Sequence, residues 1–173
     1  MIPSIPFEVL TREEAMPSIL FVCTKNLCRS PFAQAFFNRR LLVENYQGNW
    51  LVSSAGTWTR DGDSVPAPFR KIGKELGVDL SQHRSQSISS IDIKEYDVIV
   101  VMEKGHKEAM QVEFPKFAGR IYMLTFLAGL YPYDIPDPEV DDYTETKGIA
   151  RVIQNCIELA FELICQKALA QGN

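Results

Sequence analysis

Short apolar runs alternate along the chain with stretches in which apolar residues recur every three or four positions. Ser18–Cys23 reads SILFVC, the pattern of a strand buried on both faces. Trp50 to Ser54, ended by Gly56, Tyr96 to Met102 and Arg120 to Thr125 give three further strands. Between them lie helical patterns. One starts at Ser30-Pro31, with Ser30 as N-cap and Pro31 at the first helical position, and carries Phe32, Ala35, Phe36, Leu41 and Leu42 to about Tyr46. A second runs from Pro66 to Gly77 through Phe69, Ile72 and Leu76, with Gly77 as its C-terminal cap. A third covers Glu103 to Val112. From Thr144 onward, Ile149, Val152, Ile153, Cys156, Ile157, Ala160, Phe161, Ile164, Cys165 and Leu169 form one apolar stripe on a long last helix.

Strands alternating with helices predict an α/β fold, a parallel sheet covered on both faces by right-handed crossovers. Ligands bind such sheets at the carboxyl ends of the strands. That directs attention to the loops after residues 23, 54, 102 and 125. Pro3, Pro6 and Pro17 break regular structure before the first strand, leaving Leu10 to Met16 as the only stretch able to form a turn or two of helix. Residues 1–17 therefore read as an extension and 18–173 as one domain.

Composition narrows the function. The chain has 18 Lys and Arg against 22 Asp and Glu, a net charge of −4, which argues against a nucleic-acid partner and against a polybasic membrane anchor. The longest apolar runs fall far short of the ~20 residues of a membrane span. The N-terminus does not read as a secretory signal, so a reducing cytoplasm with free thiols is expected for the four cysteines.

Two of these cysteines stand in Cys23-Thr-Lys-Asn-Leu-Cys-Arg29-Ser30-Pro31, between a buried strand and a helix start. Backbone N–H groups at a helix start lack intrahelical partners and carry partial positive charge, which makes an anion site. Arg29 adds a planar guanidinium suited to two oxygens of one phosphate. The field that holds an anion also favours a thiolate at Cys23, a nucleophile aimed at phosphorus. The five residues between Cys23 and Arg29 are enough to wrap a tetrahedral oxyanion, and Ser30 can donate to the sulfur. Expelling a poor leaving group needs a proton donor. Asp137, between Pro136 and Pro138, is preferred over Asp134, Asp141 and Asp142 because the two prolines stiffen the loop presenting it.

These residues resemble the low-molecular-weight protein-tyrosine phosphatases, in a bacterial-type branch. The likeness rests on VCTKNLCRSP, Ser54-Ala55-Gly56-Thr57, Asp97-Val-Ile-Val-Val-Met and Asp137-Pro138, in that order. It implies a three-layer sandwich with a four-stranded parallel sheet in order 2-1-3-4. It also implies hydrolysis of phosphotyrosine through a phosphocysteine at Cys23, with Arg29 gripping phosphate and Asp137 acting first as acid and then as base. Thr24, Lys25, Asn26, Leu27, Cys28 and Ser30 complete the phosphate-binding loop, with Asn26 in a left-handed conformation and Ser54 and His83 as its supports. Cys28 is expected to form a protective disulfide with Cys23 under oxidation. Cys156 and Cys165 belong to the core. No metal or cofactor is implied.

Two departures stand out. Lys25 occupies a position where glycine is usual, and Glu139 one where tyrosine is usual. Glu139 removes an aromatic wall of the substrate cleft, for which Trp58, Tyr131 and Tyr133 are candidate replacements. The expected partner is a tyrosine-phosphorylated protein, with a tyrosine kinase as one candidate, and the expected assembly is a monomer or weak dimer. Protein-arginine phosphatase is the nearest alternative, which the apolar Leu27 disfavours. A phosphoprotein-binding module without turnover is another. Arsenate reduction would need redox cysteines between Cys28 and Cys156, where there are none. A sugar-transport phosphocarrier would need neither Arg29 nor Asp137.

Overall fold

A computed structural model describes residues 16–46 and 48–171. The strands are β1 (Ser18–Cys23), β2 (Leu51–Gly56), β3 (Val98–Val101) and β4 (Ile121–Met123). All neighbours are parallel and the order is β2-β1-β3-β4, as expected. The helices are α1 (Arg29–Val43), α2 (Ala67–Glu75), α3 (Lys104–Glu113), the single-turn α4 (Leu124–Leu127) and α5 (Tyr143–Gln171). The suggested turn of helix at Leu10 to Met16 and most of the 1–17 extension lie outside the described residues.

β1 is central, and both its faces are sealed. Ile19, Phe21 and Cys23 face one core with Phe32, Phe36 and Phe37 of α1 and Ile153, Ile157 and Phe161 of α5. Leu20 and Val22 face a second core with Ile99, Val101, Met110 of α3 and Ile121. The period of two along β1 thus divides the helices into two layers around the sheet. In the larger core the Phe37 and Phe161 ring centroids lie 5.0 Å apart, and the edge of Tyr46 meets Phe161 at 5.4 Å. At the other end of β1, Ser18 Oγ and backbone N–H both donate to Asp97 Oδ2 at 2.9 Å, tying the start of β1 to the entry of β3.

Several boundaries differ from the expectation by a few residues, two of them for a reason visible in the structure. α1 starts at Arg29, with Cys28 and not Ser30 as its N-cap residue, and the cap has no side-chain hydrogen bond. The Ser30 hydroxyl is engaged by Cys23 and Asn26, so it cannot cap the helix. The fourth strand stops at Met123 because Leu124–Leu127 turns into a helical turn that packs on α5. No helix among the described residues is long and apolar enough to cross a membrane.

Phe161 is almost fully buried between two aromatic rings. Phe161→Ala should therefore lower unfolding free energy by about 3–5 kcal/mol. The check is a shift of the urea midpoint with an unchanged m-value.

Candidate active site

Cys23 ends β1, paired in register with Gly56 at the end of β2. The loop that follows folds back over this edge: Thr57 N–H donates to the Cys23 carbonyl and Trp58 N–H to the Thr24 carbonyl, each at 2.9 Å. The approach is so close that a Cβ on Gly56 would lie 2.7 Å from the Thr24 carbonyl oxygen and 3.1 Å from the Asn26 nitrogen. Glycine is the side chain that fits there.

Asn26 shapes the loop. Its φ is 55°, the left-handed conformation that asparagine tolerates better than most residues. The side chain is fully buried and fills three of its four hydrogen-bonding positions. Nδ2 donates to Ser30 Oγ and Ser54 Oγ, both at 2.9 Å, and Oδ1 accepts the Gln86 N–H at 2.9 Å. Ser54 passes its own proton to Gln34 Oε1 at 2.7 Å, and Gln34 Nε2 donates to the Val52 carbonyl at 3.0 Å. His83 Nε2 donates to the Asn26 carbonyl at 2.9 Å, which fixes the protonated nitrogen of that ring.

The chain of donors has a consequence at the sulfur. Ser30 Oγ already accepts from Asn26, so its proton is free to be given away. Cys23 Sγ lies 3.0 Å off, closer than the alternative acceptor, the Ala55 carbonyl at 3.4 Å. The Ser30 hydroxyl is therefore aimed at the Cys23 sulfur. Cys28, the other loop thiol, is pushed up to about 12 by burial and, secondarily, by the negative charge of Cys23. Both are free thiols.

Arg29 has no solvent exposure. Nη1 donates to Glu103 Oε1 and to the Ile135 carbonyl at 2.7 Å. Nη2 donates to Thr24 Oγ1 at 3.2 Å and lies 3.0 Å from Asp137 Oδ1. A guanidinium has five N–H groups, four of them on the two terminal nitrogens that these contacts engage. The fifth, on Nε, is buried and has no partner among the described residues.

A cavity of about 130 Å³ opens beside the sulfur, lined by Cys23, Lys25, Leu27, Cys28, Pro66, Asp137, Pro138 and Val140. Leu27, Pro66, Pro138 and Val140 give it apolar walls, while Lys25 is exposed at its rim. The structure thus brings together Cys23, Asn26, Arg29, Ser30, Asp137, Ser54 and His83. The proposed aromatic wall is elsewhere. Trp58 and Tyr131 are largely exposed, Tyr133 turns its hydroxyl towards Cys156 of α5, and none of them lines the cavity, nor does exposed Glu139.

Several participants escaped the sequence reading: Gln34, Gln86, Glu103, His106 and the Ile135 carbonyl. Glu103 had a signal. It stands just past β3, in one of the loops that the strand-end rule singled out, but it read as a helix start. Gln34 lies one helical turn after Ser30, which no motif marks. His106 is buried in α3, with Nε2 2.9 Å from Thr24 Oγ1.

The family model described as "Low molecular weight phosphotyrosine protein phosphatase" matches residues 18–171. The low-molecular-weight protein tyrosine phosphatase structure from T. tengcongensis is 30% identical, with a TM-score of 0.77 over 84% of this chain and 98% of that one. Vibrio vulnificus Wzb in complex with benzylphosphonate is 30% identical, with a TM-score of 0.73 over 87% of this chain and 99% of that one. A protein-arginine-phosphatase from Geobacillus stearothermophilus is 33% identical over 121 residues, 69% of this chain and 77% of that protein.

Two outcomes follow from this geometry. Gly56→Ala should cost about 1–3 kcal/mol of stability, because the added methyl meets the Thr24 carbonyl oxygen and the Thr59 methyl, both at 2.7 Å. Chemical denaturation measures it. Burial holds the imidazoles of His83 and His106 below the ordinary 6.5. As pH falls below 6.5 the unfolded chain takes up protons that the folded chain refuses, so stability is complete above that value and declines below it. Denaturation midpoints between pH 7.5 and 5 should fall accordingly, and His83→Gln should flatten the slope.

Proposed function

Because the chain belongs to the low molecular weight phosphotyrosine protein phosphatase family, we propose that it hydrolyses phosphotyrosine in proteins through a phosphocysteine at Cys23. The observation that carries this reading is the buried guanidinium of Arg29, whose Nε alone is uncommitted, on the loop that aims a serine proton at the Cys23 sulfur. An arginine grips a phosphate with two nitrogens, and Nε with Nη2 is the pair that faces away from Glu103 and the Ile135 carbonyl. Nη2 also holds Asp137, so a bound phosphate takes that contact and leaves the carboxyl free beside the leaving oxygen.

The reaction then runs in two steps. The Cys23 thiolate attacks phosphorus, an S–P bond forms, and the P–O bond to tyrosine breaks. Asp137, as the acid, gives its proton to the departing phenolate oxygen. In the second step Asp137, now a carboxylate, takes a proton from water. The water oxygen attacks phosphorus, the S–P bond breaks, and inorganic phosphate leaves with the thiolate restored. Backbone N–H groups of residues 24–29 and the Arg29 guanidinium stabilise the charge on the equatorial oxygens. Ser30 steadies the sulfur between turnovers, and Asn26, Ser54 and His83 hold the loop.

The apolar walls of the cavity, Leu27, Pro66, Pro138 and Val140, suit an aryl ring better than the cationic guanidinium of phosphoarginine. This supports tyrosine over arginine as the phosphorylated residue. A phosphorylated tyrosine kinase is a suitable partner, and the free thiols are suited to a reducing cytoplasm.

Steady-state rates on an aryl phosphate, a phosphotyrosine peptide and phosphoarginine test the assignment. Cys23→Ser should abolish turnover by at least about 10⁴-fold. Asp137→Ala should lower kcat by roughly 10²–10⁴-fold on the peptide, and by less on an aryl phosphate whose phenol leaves without a proton. Phosphoarginine should be the poorest of the three substrates. Turnover that survives Cys23→Ser contradicts the covalent route, and a preference for phosphoarginine contradicts the tyrosine assignment.

A further inference from the structure

Behind Arg29, on the side away from the cavity, lies a group that the two-step chemistry does not use. His106 comes from the first turn of α3 and is 7% exposed. Its Nε2 lies 2.9 Å from Thr24 Oγ1, while its buried Nδ1 has no hydrogen-bond partner among the described residues. A buried imidazole with one nitrogen unsatisfied carries a desolvation cost that an apolar side chain of similar size would avoid. Such a cost calls for an explanation beyond packing.

The hydrogen-bond directions supply one. Orphaned buried N–H groups are rarer than orphaned acceptors, so the ring proton belongs on Nε2 and is donated to Thr24. Thr24 Oγ1 then accepts twice, from His106 and from Arg29 Nη2 at 3.2 Å. Nη2 is one of the two nitrogens assigned to the phosphate. Glu103 stands beside both groups, paired with Arg29 Nη1 and 3.8 Å from His106 Nε2. Thr24, Glu103 and the Ile135 carbonyl thus hold the guanidinium from three sides, and His106 stops the Thr24 hydroxyl from rotating away.

We propose that His106 is a positioning residue of the phosphate site: through Thr24 it fixes the Arg29 guanidinium in the plane that presents Nε and Nη2 to a dianion. The role rests on the phosphatase reading above. Burial, which keeps the ring neutral, is consistent with it, because a protonated imidazole would set a second cation against Arg29.

The test is a double-mutant cycle on the full chain, read by inhibition constants for inorganic sulfate and by kcat/KM on an aryl phosphate. Thr24→Val and His106→Leu should each weaken sulfate by about tenfold, and the double variant should be no worse than either single one. His106→Gln keeps a donor near the position of Nε2 and should recover most of the loss. Effects of the two substitutions that multiply would overturn the proposal, as would a His106→Leu protein with wild-type sulfate inhibition. So would a Gln variant as impaired as Leu. If His106→Leu does not fold, Thr24→Val and His106→Gln with their double variant decide the matter by the same rule. A wild-type protein that neither binds sulfate nor hydrolyses the aryl phosphate overturns the phosphatase reading beneath it. A wild type that does both, with an uncoupled cycle, overturns the role of His106 alone.

Discussion

A guanidinium sealed from water is stable only where hydrogen bonds and carboxylates replace the solvent it has lost, and Arg29 is in that position. Desolvating a cation costs several kcal/mol, so the chain must bring partners to it from distant places. Glu103 arrives from the end of β3, the Ile135 carbonyl and Asp137 from the loop before α5, and Thr24 from its own loop. These partners fold around one side chain and so bring the catalytic loop, the strand ends and the proline-rich loop together. The guanidinium is both a structural bolt and the grip on phosphate.

The second constraint is the polar chain running from Gln34 through Ser54 and Asn26 to Ser30 and Cys23. Asn26 gives its two amide protons to Ser54 and Ser30, and Ser54 gives its own to Gln34, which leaves the Ser30 proton to face the sulfur. Buried networks of this kind are costly when incomplete and specific when complete. Here the network ties a left-handed asparagine in a tight loop to a hydroxyl aimed at the Cys23 sulfur. The aromatic packing of α1 on α5 through Phe37 and Phe161 supplies the rigid floor on which the network rests.

Much of this was readable in the sequence because it is local. SILFVC is a buried strand by pattern, CTKNLCRSP places its nucleophile and cation on one turn, and the parallel order 2-1-3-4 followed from the family likeness. What escaped was long-range. Gln34, Glu103 and His106 sit on amphipathic helices or their edges, where a polar residue ordinarily means solvent. Only the fold turns these three towards the loop. Ser30 misled in the opposite sense, since a serine before a proline is a good helix cap until a nearer acceptor claims its hydroxyl. The cleft aromatics Trp58, Tyr131 and Tyr133 were candidates by residue type alone, which does not say where a side chain points.

The central claim is that phosphorus becomes bonded to the Cys23 sulfur during turnover. Rapid acid quench of the Asp137→Ala protein with a phosphorylated aryl substrate, followed by mass spectrometry of its peptides, tests it directly. The account predicts a phosphate adduct on the peptide containing Cys23, placed on that residue by fragmentation and absent from Cys23→Ser. Steady turnover with no adduct on Cys23, or with the adduct on another residue, would contradict it.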